Sequence, residues 1–536
     1  MVATPATAVG ARSGDDGFYV DDVAFAGGVV AEQSPLVMAV AAALGGFRPP
    51  SISSTFRYCD LGCGDGTTVC ALAAVNPAAS FVGIDFNPLH VEQGRRIAEQ
   101  LGLANVHFVQ ASFTELHQHS ELGSFDLVAM NGIYAWLEEQ PRQAAMAFVQ
   151  QHLADGGLFY VESTTLPGMA AVPPLWHLIQ TLVPAEGRSS RQRAEEGLNL
   201  LDTLAKRGLA FLAANPRAAG AARHYLGQRK SNPEAALDHF IHNAMASGFR
   251  PRYFDAMAAE MAAAGLQFAG RTALGLNLIE LAVPPGQVPT LRDVTDPVQR
   301  QLLIDYIRNE QNRRDIYIKA ATPHPEAATA FLTHELRLLG RNSPETLQRQ
   351  IPVIGGHGVP LRGPLYDALL PAFEAGPLSS AEVSLPDNTS GEQLARATQM
   401  LISSDQFALC LPGATLSAAG PGVLPEQPQL VHAVNRHLLT QAVNKLQATT
   451  LVSPLTGGSG IHLSPLEASL LDAASNHGWD EAASSVHQRL SQLTTPLPSA
   501  RGPIAANRVR LEDLQQLVSL LRGRKASNLQ RLGMLA

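Results

Sequence analysis

The alternation of apolar and polar positions separates a strand-rich part of the chain from two helix-rich parts. From residue 57 onward, short runs of β-branched and aromatic residues alternate with stretches of helical periodicity. This order is typical of an α/β protein in which each strand of a parallel sheet is followed by a helix. We therefore predict a doubly wound α/β sheet with strands at 57–62, 80–85, 107–111, 125–131 and 157–164.

Helices are predicted between these strands, one starting near Thr67 and others at 88–100 and 139–153. Pro88 and Pro141 stand in the first turns, where the missing N–H of proline has no partner to lose. An apolar run from Pro35 ends in two glycines and is too short to cross a bilayer. It predicts a packed helix before the first strand, and we expect no membrane insertion.

A long helical pattern interrupts the sheet. Residues 171–247 are rich in Ala and Arg and contain no convincing strand, whereas strand patterns return at 266–272 and 313–320. Beyond residue 323 the pattern is mainly helical, and 411–429 resembles a linker between two helical subdomains. The predicted organisation is a lead-in segment (1–56), a sheet core (57–170 and 248–322), a helical insertion able to cap the site (171–247) and a mainly helical C-terminal region (323–536).

Composition narrows the function classes. The chain has 536 residues, of which only 16% are charged, and a formal net charge of −8, so it lacks the basic footprint of a nucleic-acid-binding protein. Its four cysteines form neither a zinc-ligand pattern nor a disulfide framework, and its histidines have no metal-binding spacing. Because no secretory signal pattern begins the chain, we expect a cytoplasmic protein without a metal.

Three glycines, Gly62, Gly64 and Gly66, follow the first predicted strand. A phosphate loop would need Lys and Ser/Thr after the last glycine, and a dinucleotide loop would need a small residue where Thr67 stands. The carboxylates of Asp60 and Asp65 would also repel a phosphate. S-adenosyl-L-methionine fits better, since Asp60 can attract its ammonium group while the glycines let the main chain approach its methionine moiety.

Further cofactor contacts are predicted at the next two strand ends. Asp85 lies nineteen positions after Gly66 and can accept hydrogen bonds from both ribose hydroxyls, with Phe86 directly after it. Ser112 and Phe113 follow the third strand and have two interpretations. They can bind the adenine amino group and cover the ring, or they can form a helix N-cap with a packed aromatic side chain.

The fourth strand runs into Asn131, Tyr134 and Trp136, the candidate catalytic residues. Asn131 and Tyr134 echo the Asn-Pro-Pro-Tyr arrangement with which amino-methyltransferases orient and stack on a target amine, and Asn131 can also contact the cofactor. Trp136 adds a second ring that could hold a methylammonium group by cation–π attraction. Simple core packing of the two aromatic residues stays open.

Several motifs together resemble a known family. They are "LGCGDG", "VGIDFNP", "FDLVAMNGIYAWL", "TTLPG" and "RPRYFDAMAAEMAAAGLQFAGR". The chain resembles the class I methyltransferases that carry a methyltransferase regulatory domain, a group that includes rickettsial-type protein-lysine methyltransferases acting on outer-membrane proteins. The resemblance covers about residues 18–319, with a further helical match near 464–490, and implies a Rossmann-like sheet and S-adenosyl-L-methionine as cofactor.

The acceptor side departs from the family pattern. Glu162, Ser163, Thr164 and Thr165 stand where the family has Ser-Tyr-Asn-Thr, and Asn243 replaces a glutamate after His242. The resemblance therefore implies a cofactor but transfers no acceptor specificity. We favour a protein N-methyltransferase acting on lysine, with a small-molecule N- or O-methyltransferase and a noncatalytic cofactor-binding protein as alternatives.

Overall fold

A seven-stranded mixed sheet forms the core of the computed structural model, which describes residues 27–53, 55–246, 248–341, 347–416, 424–493, 496–497 and 504–536. The strands are β1 (Arg57–Leu61), β2 (Ser80–Asp85), β3 (Val106–Gln110), β4 (Phe125–Met130), β5 (Leu153–Thr164), β6 (Leu266–Arg271) and β7 (Asn312–Lys319). Their order is β3-β2-β1-β4-β5-β7-β6. The first five strands are parallel, and β7 is antiparallel to both of its neighbours. The predicted α/β sheet is confirmed, with β5 beginning earlier than expected.

The helices flanking this sheet begin where the sequence predicts them. They are α1 (Pro35–Leu44), α2 (Thr67–Val75), α3 (Pro88–Leu101) and α4 (Glu139–His152). Helix α1 has no polar face, and Leu36, Met38 and Val40 are fully buried. It packs between the sheet and the C-terminal region, so a helix that is apolar all round finds apolar partners on both sides.

The insertion is helical, as predicted, and has a hydrophobic core of its own. Its helices are α5 (Val172–Leu182), α6 (Ser190–Lys206), α7 (Ala210–Ala214), α8 (Pro216–Ser231) and α9 (Pro233–Asn243). Trp176, Leu198 and Phe240 are buried in that core. Trp136 and Phe249 belong to the same cluster, so the insertion packs directly on the segment that follows β4.

The chain then returns to the sheet through α10 (Phe254–Ala263), α11 (Ile279–Ala282), α12 (Val288–Asp293) and α13 (Pro297–Arg308). Strand β7 carries different side chains on its two faces. Arg313 and Asp315 are fully buried and form an ion pair of 2.8 Å. Asn312 and Arg314 alternate with them, and Asn312 lies opposite Thr164 in the register with β5. The second face of β7 thus reaches the C-terminal end of β5.

The C-terminal region is mainly helical. Its helices are α14 (Pro325–Ala330), α15 (Pro364–Ala375), α16 (Gly391–Ile402), α17 (Ala433–Lys445), α18 (Pro465–His477), α19 (Trp479–Ser491), α20 (Leu511–Leu520) and α21 (Ser527–Arg531). The sequence analysis missed four antiparallel strand pairs because their strands are too short for a period-two pattern to stand out. They are β8 (Arg337–Gly340) with β11 (Phe407–Cys410), β9 (Gln350–Val353) with β10 (His357–Pro360), β12 (Thr449–Val452) with β13 (Gly460–Leu463) and β14 (Pro496–Leu497) with β15 (Ile504–Ala505).

Parts of three predicted segments lie outside the described residues. They are 1–26 and 54 of the lead-in segment, 247 of the insertion, and 342–346, 417–423, 494–495 and 498–503 of the C-terminal region, of which 417–423 belong to the predicted linker. The described end of that linker is well packed, since the indole N–H of Trp479 donates to the carbonyl oxygen of Pro425 at 3.1 Å. Within the described ranges, no helix is long and apolar enough to cross a membrane.

Candidate active site

A cavity of about 410 Å³ lies at the carboxyl ends of β1, β2 and β4. The strand order reverses here between β1 and β4, and ligands of open α/β sheets bind at such a reversal. The predicted site residues that line this cavity are Asp60, Gly62, Gly64, Asp85, Phe86, Ser112, Phe113, Asn131 and Trp136. The structure therefore brings most of the predicted residues together, whereas Gly66 and Tyr134 lie elsewhere.

Hydrogen bonds to the end of β2 fix the conformation of the loop after β1. Gly62 and Gly64 have φ angles of 74° and 55°, a left-handed conformation that favours glycine. The main-chain N–H of Gly64 donates to Oδ2 of Asp85 at 2.9 Å, and that of Gly62 donates to the carbonyl oxygen of Ile84 at 2.8 Å. A Cβ atom at Gly62 would lie 2.4 Å from Cδ1 of Ile133, so a side chain here would have to displace Ile133 as well as adopt a strained main-chain conformation.

Gly66 has a packing role. It precedes α2 with a φ of 76°, and a Cβ atom there would lie 2.8 Å from both Cα of Gly94 and the ring of Phe108. Gly66 is not among the residues that line the cavity, and its contact with the cofactor stays a prediction. This glycine lets α2 approach α3 and β3, and so it places the start of α2 beside the cavity.

Asp85 organises the loop from the next strand. Its Oδ1 accepts the main-chain N–H of Asn87 at 2.9 Å and lies 3.1 Å from Nδ1 of His90. Asp85 and His90 are both buried. The sequence analysis missed His90, although its position in the first turns of α3 after the Asn87 cap could have indicated it. A carboxylate held in this way can still accept further hydrogen bonds, because each oxygen has two lone pairs.

Asp60 is a buried carboxyl group at the base of the cavity. Its Oδ1 accepts a hydrogen bond of 3.1 Å from Nε2 of Gln33, a residue that the sequence analysis did not single out. Burial raises the pKa of Asp60 to about 7, while the Gln33 hydrogen bond opposes the shift and the nearby charge of Asp85 adds to it. The group is thus poised to ionise when a cation arrives.

Residues 27–33 run along the cavity as a covering segment. The main-chain N–H of Gly27 donates to Oδ2 of Asp65 at 3.1 Å, and that of Val30 donates to Oγ1 of Thr68 at 3.1 Å. Asp65 also accepts the main-chain N–H of Thr67. Because both of its carboxylate oxygens accept hydrogen bonds from main-chain N–H groups, Asp65 fixes this segment and the start of α2. It also adds negative charge to the cavity.

At the end of β3, the structure has the N-cap arrangement. Oγ and the main-chain N–H of Ser112 both donate to Oε2 of Glu115, at 2.8 and 2.9 Å. Ser112 and Phe113 nevertheless line the cavity, together with Phe86 from the end of β2. Two aromatic rings therefore stand on this side, while the Ser112 hydroxyl is committed to the cap.

The candidate catalytic residues separate into two groups. Asn131 lines the cavity and accepts a hydrogen bond of 2.9 Å from the Tyr160 hydroxyl. Trp136 also lines it and stacks on Phe249, with ring centroids 4.2 Å apart. Phe249 follows the insertion and was not predicted, because its contact with Trp136 joins segments that are distant in sequence.

Tyr134 lies in the core between the sheet and α10. It is 1% exposed, and its hydroxyl donates to Oε2 of Glu260, which also pairs with Arg142 at 2.8 Å. Burial and the Glu260 charge raise the pKa of Tyr134 far above its usual range. The expectation that Tyr134 stacks on an acceptor is corrected, since the ring packs in the core and its hydroxyl faces an internal ion pair.

The far end of the cavity is lined by residues that the cofactor motifs do not contain. Glu162 and Thr164 come from the end of β5, and His242 and Asn243 come from the last turn of α9 in the insertion. Within the described ranges, no group of three or more His, Cys, Asp or Glu residues could hold a metal ion. The cavity thus has one end built from β1–β3 and another from β4, β5 and the insertion.

Comparison with known proteins agrees with this geometry. Residues 52–194 match the family model described as a methyltransferase domain, and 238–319 match that of a predicted methyltransferase regulatory domain. The uncharacterized protein sll1526 of Synechocystis is 30% identical over 521 residues, which cover 96% of this chain and 98% of that protein. The chain belongs to the class I S-adenosylmethionine-dependent methyltransferases that carry a methyltransferase regulatory domain.

More distant similarities of this methyltransferase include a sequence relative and a solved structure with the same fold. The uncharacterized protein RP789 of Rickettsia prowazekii is 23% identical over 299 residues, or 55% of this chain and 51% of that protein. The structure of PKMT2 from Rickettsia typhi in complex with AdoHcy aligns with a TM-score of 0.64 at 16% identity, covering 95% of this chain and 99% of that one. The shared fold includes the C-terminal region as well as the sheet.

Proposed function

We propose that this methyltransferase transfers the methyl group of S-adenosyl-L-methionine to the nitrogen of a protein side chain, with lysine as the favoured acceptor. One observation carries the proposal: a single cavity receives the glycine loop with Asp85 at one end and Asn131, Trp136 and the insertion at the other. The sequence resemblance to rickettsial-type protein-lysine methyltransferases supports the cofactor, whereas the acceptor class rests on the cavity itself.

The cofactor half has a group for each part of the proposed cofactor. Asp60 would bind the ammonium group, Asp85 would accept the ribose hydroxyls, and Phe86 and Phe113 would flank the adenine ring. The open space around Gly64 lets the main chain approach the methionine moiety. With these contacts, the sulfonium would lie beside Asn131, at the boundary between the two halves.

The transfer itself needs positioning more than chemical activation, since the sulfonium is already a good leaving group. The amine lone pair forms the new N–C bond while the C–S bond breaks and its electron pair stays on sulfur, which yields S-adenosylhomocysteine. An acceptor that binds as an ammonium has no lone pair, so it must release one proton to solvent before it attacks the methyl group; a lysine, with a solution pKa of about 10.4, is such an acceptor. Trp136 would bound the path of the acceptor, and its stacking on Phe249 would fix that wall.

The cavity volume favours a slender acceptor. About 410 Å³ is near the lower end for ligand pockets, so S-adenosyl-L-methionine, a nucleoside joined to a methionine, would leave room for a narrow side chain rather than for a second large ligand. The insertion contributes His242 and Asn243 to this end of the cavity. These features support a protein acceptor over a small molecule.

The test uses purified protein, cofactor labelled in the methyl group, and a lysate of the organism that encodes the chain. Label in proteins, located on lysine by mass spectrometry and absent with Asp85→Ala, would support the proposal. Label only in small molecules would establish the alternative acceptor class. No label despite measured cofactor binding would identify a noncatalytic cofactor-binding protein.

A further inference from the structure

The cavity is strongly acidic. Five carboxylates line it, those of Asp60, Asp65, Asp85, Glu138 and Glu162, and its described lining contains neither lysine nor arginine. A cavity with this balance favours positively charged ligands. The cofactor brings a sulfonium and an ammonium, and the carboxylates nearest to the glycine loop account for these charges.

Three of these carboxylates already have a role in the cavity, and a fourth lies at the N-terminus of a helix. Asp60 and Asp85 belong to the proposed cofactor contacts, and Asp65 holds the covering segment. Glu138 precedes α4, where the positive end of the helix dipole stabilises it. Glu162, at the far end of the cavity, is the carboxylate that none of these roles explains.

Glu162 has no cationic partner at ion-pair distance. Arg314 lies opposite it in the register of β5 and β7, but the Arg314 guanidinium bonds instead to Oε1 of Glu32 at 2.5 Å. The ion pairs within 4.0 Å among the described residues do not include Glu162. Burial raises the pKa of its carboxyl group, opposed by the Asn312 side chain, the Arg314 charge and the main-chain N–H of Gly132.

The hydroxyl group of Thr164, which lies beside Glu162, has no hydrogen-bond partner among the described residues. Thr164 is two positions along β5 and lines the same cavity, as the alternation of a strand requires. Its Oγ1 atom is buried and makes no hydrogen bond to any described residue. A buried hydroxyl without a partner is uncommon in proteins, and one that lines a cavity beside a carboxylate indicates a missing polar ligand.

We propose that Glu162 and Thr164 form a binding site for the ammonium group of the acceptor, here called the seat. This site selects a cationic amine over a neutral nucleophile. This inference rests on the proposed function and specifies its acceptor. An ammonium group has three donors, so it can satisfy the carboxylate and the hydroxyl together.

Sinefungin is a direct probe of the seat. In this cofactor analogue, a carbon that bears an ammonium group replaces the methylated sulfur, so a cation lies where the methyl group would leave. S-adenosylhomocysteine lacks that cation and otherwise makes the same contacts. Isothermal titration of both compounds gives an affinity ratio that reports on the added cation, and the change of this ratio in variants of Glu162 and Thr164 reports on the acceptor end.

The wild-type protein is expected to prefer sinefungin by about tenfold or more, since charge-assisted hydrogen bonds in a buried site are strong. Glu162→Gln should remove most of this preference while leaving S-adenosylhomocysteine affinity unchanged, and Thr164→Val should reduce it about threefold. Glu162→Asp, which keeps the charge, should retain part of it. Glu139→Gln removes an exposed carboxylate on α4 and should behave like the wild type.

The outcomes separate this inference from the function on which it rests. A wild type without preference, or a Glu162→Gln variant that keeps it while binding S-adenosylhomocysteine normally, would refute the seat and leave the methyltransferase proposal standing. Wild-type protein that binds neither compound would refute the cofactor assignment, and the seat would fall with it.

Discussion

The two ends of the cavity are built in different ways. The cofactor end comes mainly from three consecutive strand–loop–helix units, and its predicted contact residues lie within a short stretch of sequence, from Asp60 to Phe113. The end proposed for the acceptor joins Asn131, Glu162 and His242, which belong to a loop, a strand end and an inserted helix. The comparison teaches that a local motif can indicate a cofactor, whereas the residues at the proposed acceptor end are brought together only by tertiary contacts.

The largest effect is expected at the cofactor end. Asp85→Ala removes both the proposed ribose acceptor and the partner of the Gly64 N–H, so the affinity for S-adenosylhomocysteine should fall by about 100-fold or more. Asp85→Asn keeps the shape and one acceptor oxygen and should lose less. Isothermal titration measures both, and thermal unfolding checks that the variants fold. Unchanged affinity in Asp85→Ala would overturn the ribose assignment.

A pair of aromatic substitutions tests the acceptor end. Trp136→Ala opens the wall that Phe249 supports, so transfer of labelled methyl groups should fall by about tenfold or more while S-adenosylhomocysteine affinity stays within about threefold. Tyr134→Phe removes only the internal hydrogen bond to Glu260, which costs about 1 kcal/mol of stability. Its transfer rate should be close to that of the wild type. The reverse ranking would restore Tyr134 as the aromatic residue that meets the acceptor.

The pKa of Asp60 adds a pH dependence to the cofactor end. Since burial raises it to about 7, the carboxyl group is largely protonated below that pH in the empty protein. S-adenosylhomocysteine keeps its ammonium charge in this range, so its affinity should rise with pH by up to about tenfold per unit and level off above pH 7. Asp60→Asn should flatten the profile between about pH 5.5 and 7. A wild-type affinity independent of pH would contradict an ionising Asp60.

The same shift has the opposite sign for the stability of the empty protein. A carboxyl pKa that is higher in the folded than in the unfolded state contributes stability at low pH, and this contribution is lost as the pH rises toward about 7. Cofactor binding offsets this loss of stability, because the ammonium group of the ligand stabilises the ionised carboxylate of Asp60. Thermal unfolding with and without S-adenosylhomocysteine should therefore show a ligand-induced shift that grows with pH, and Asp60→Asn should show a constant one.

Sequence reasoning worked where local chemistry decides the structure. The strands of the sheet, the helix starts at Pro88 and Glu139, and the left-handed glycines at 62 and 64 follow from periodicity, proline placement and backbone freedom. The carboxylates of Asp60 and Asp85 were found because they stand at strand ends. Each of these signals lies within a few residues of the feature that it predicts.

Sequence reasoning failed where the partner of a side chain is distant in the chain. Tyr134 and Trp136 are two positions apart and both aromatic. Tyr134 nevertheless lies in the core, where its hydroxyl donates to Glu260, whereas Trp136 lines the cavity and stacks on Phe249. Gln33 meets Asp60 across 27 positions, and no pattern in either segment records it. Gly66 was predicted to contact the cofactor because the sequence does not distinguish a glycine that packs against another element, here the ring of Phe108, from a glycine that contacts a ligand.

The smallest expected effect separates the two interpretations of Ser112. Its hydroxyl donates to Glu115, so Ser112→Ala should cost about 0.5–1 kcal/mol of stability through the lost cap. Affinity for S-adenosylhomocysteine should change by less than about twofold, because the committed hydroxyl has little to offer the adenine amino group. Glu115→Gln, which weakens the cap without touching the cavity, is the matched control and should lower stability in the same way. A loss of affinity of about tenfold in Ser112→Ala alone would mean that the hydroxyl leaves the cap to bind adenine. In that case cofactor binding would rearrange the end of β3, and the cofactor half would depend on its ligand for its final structure.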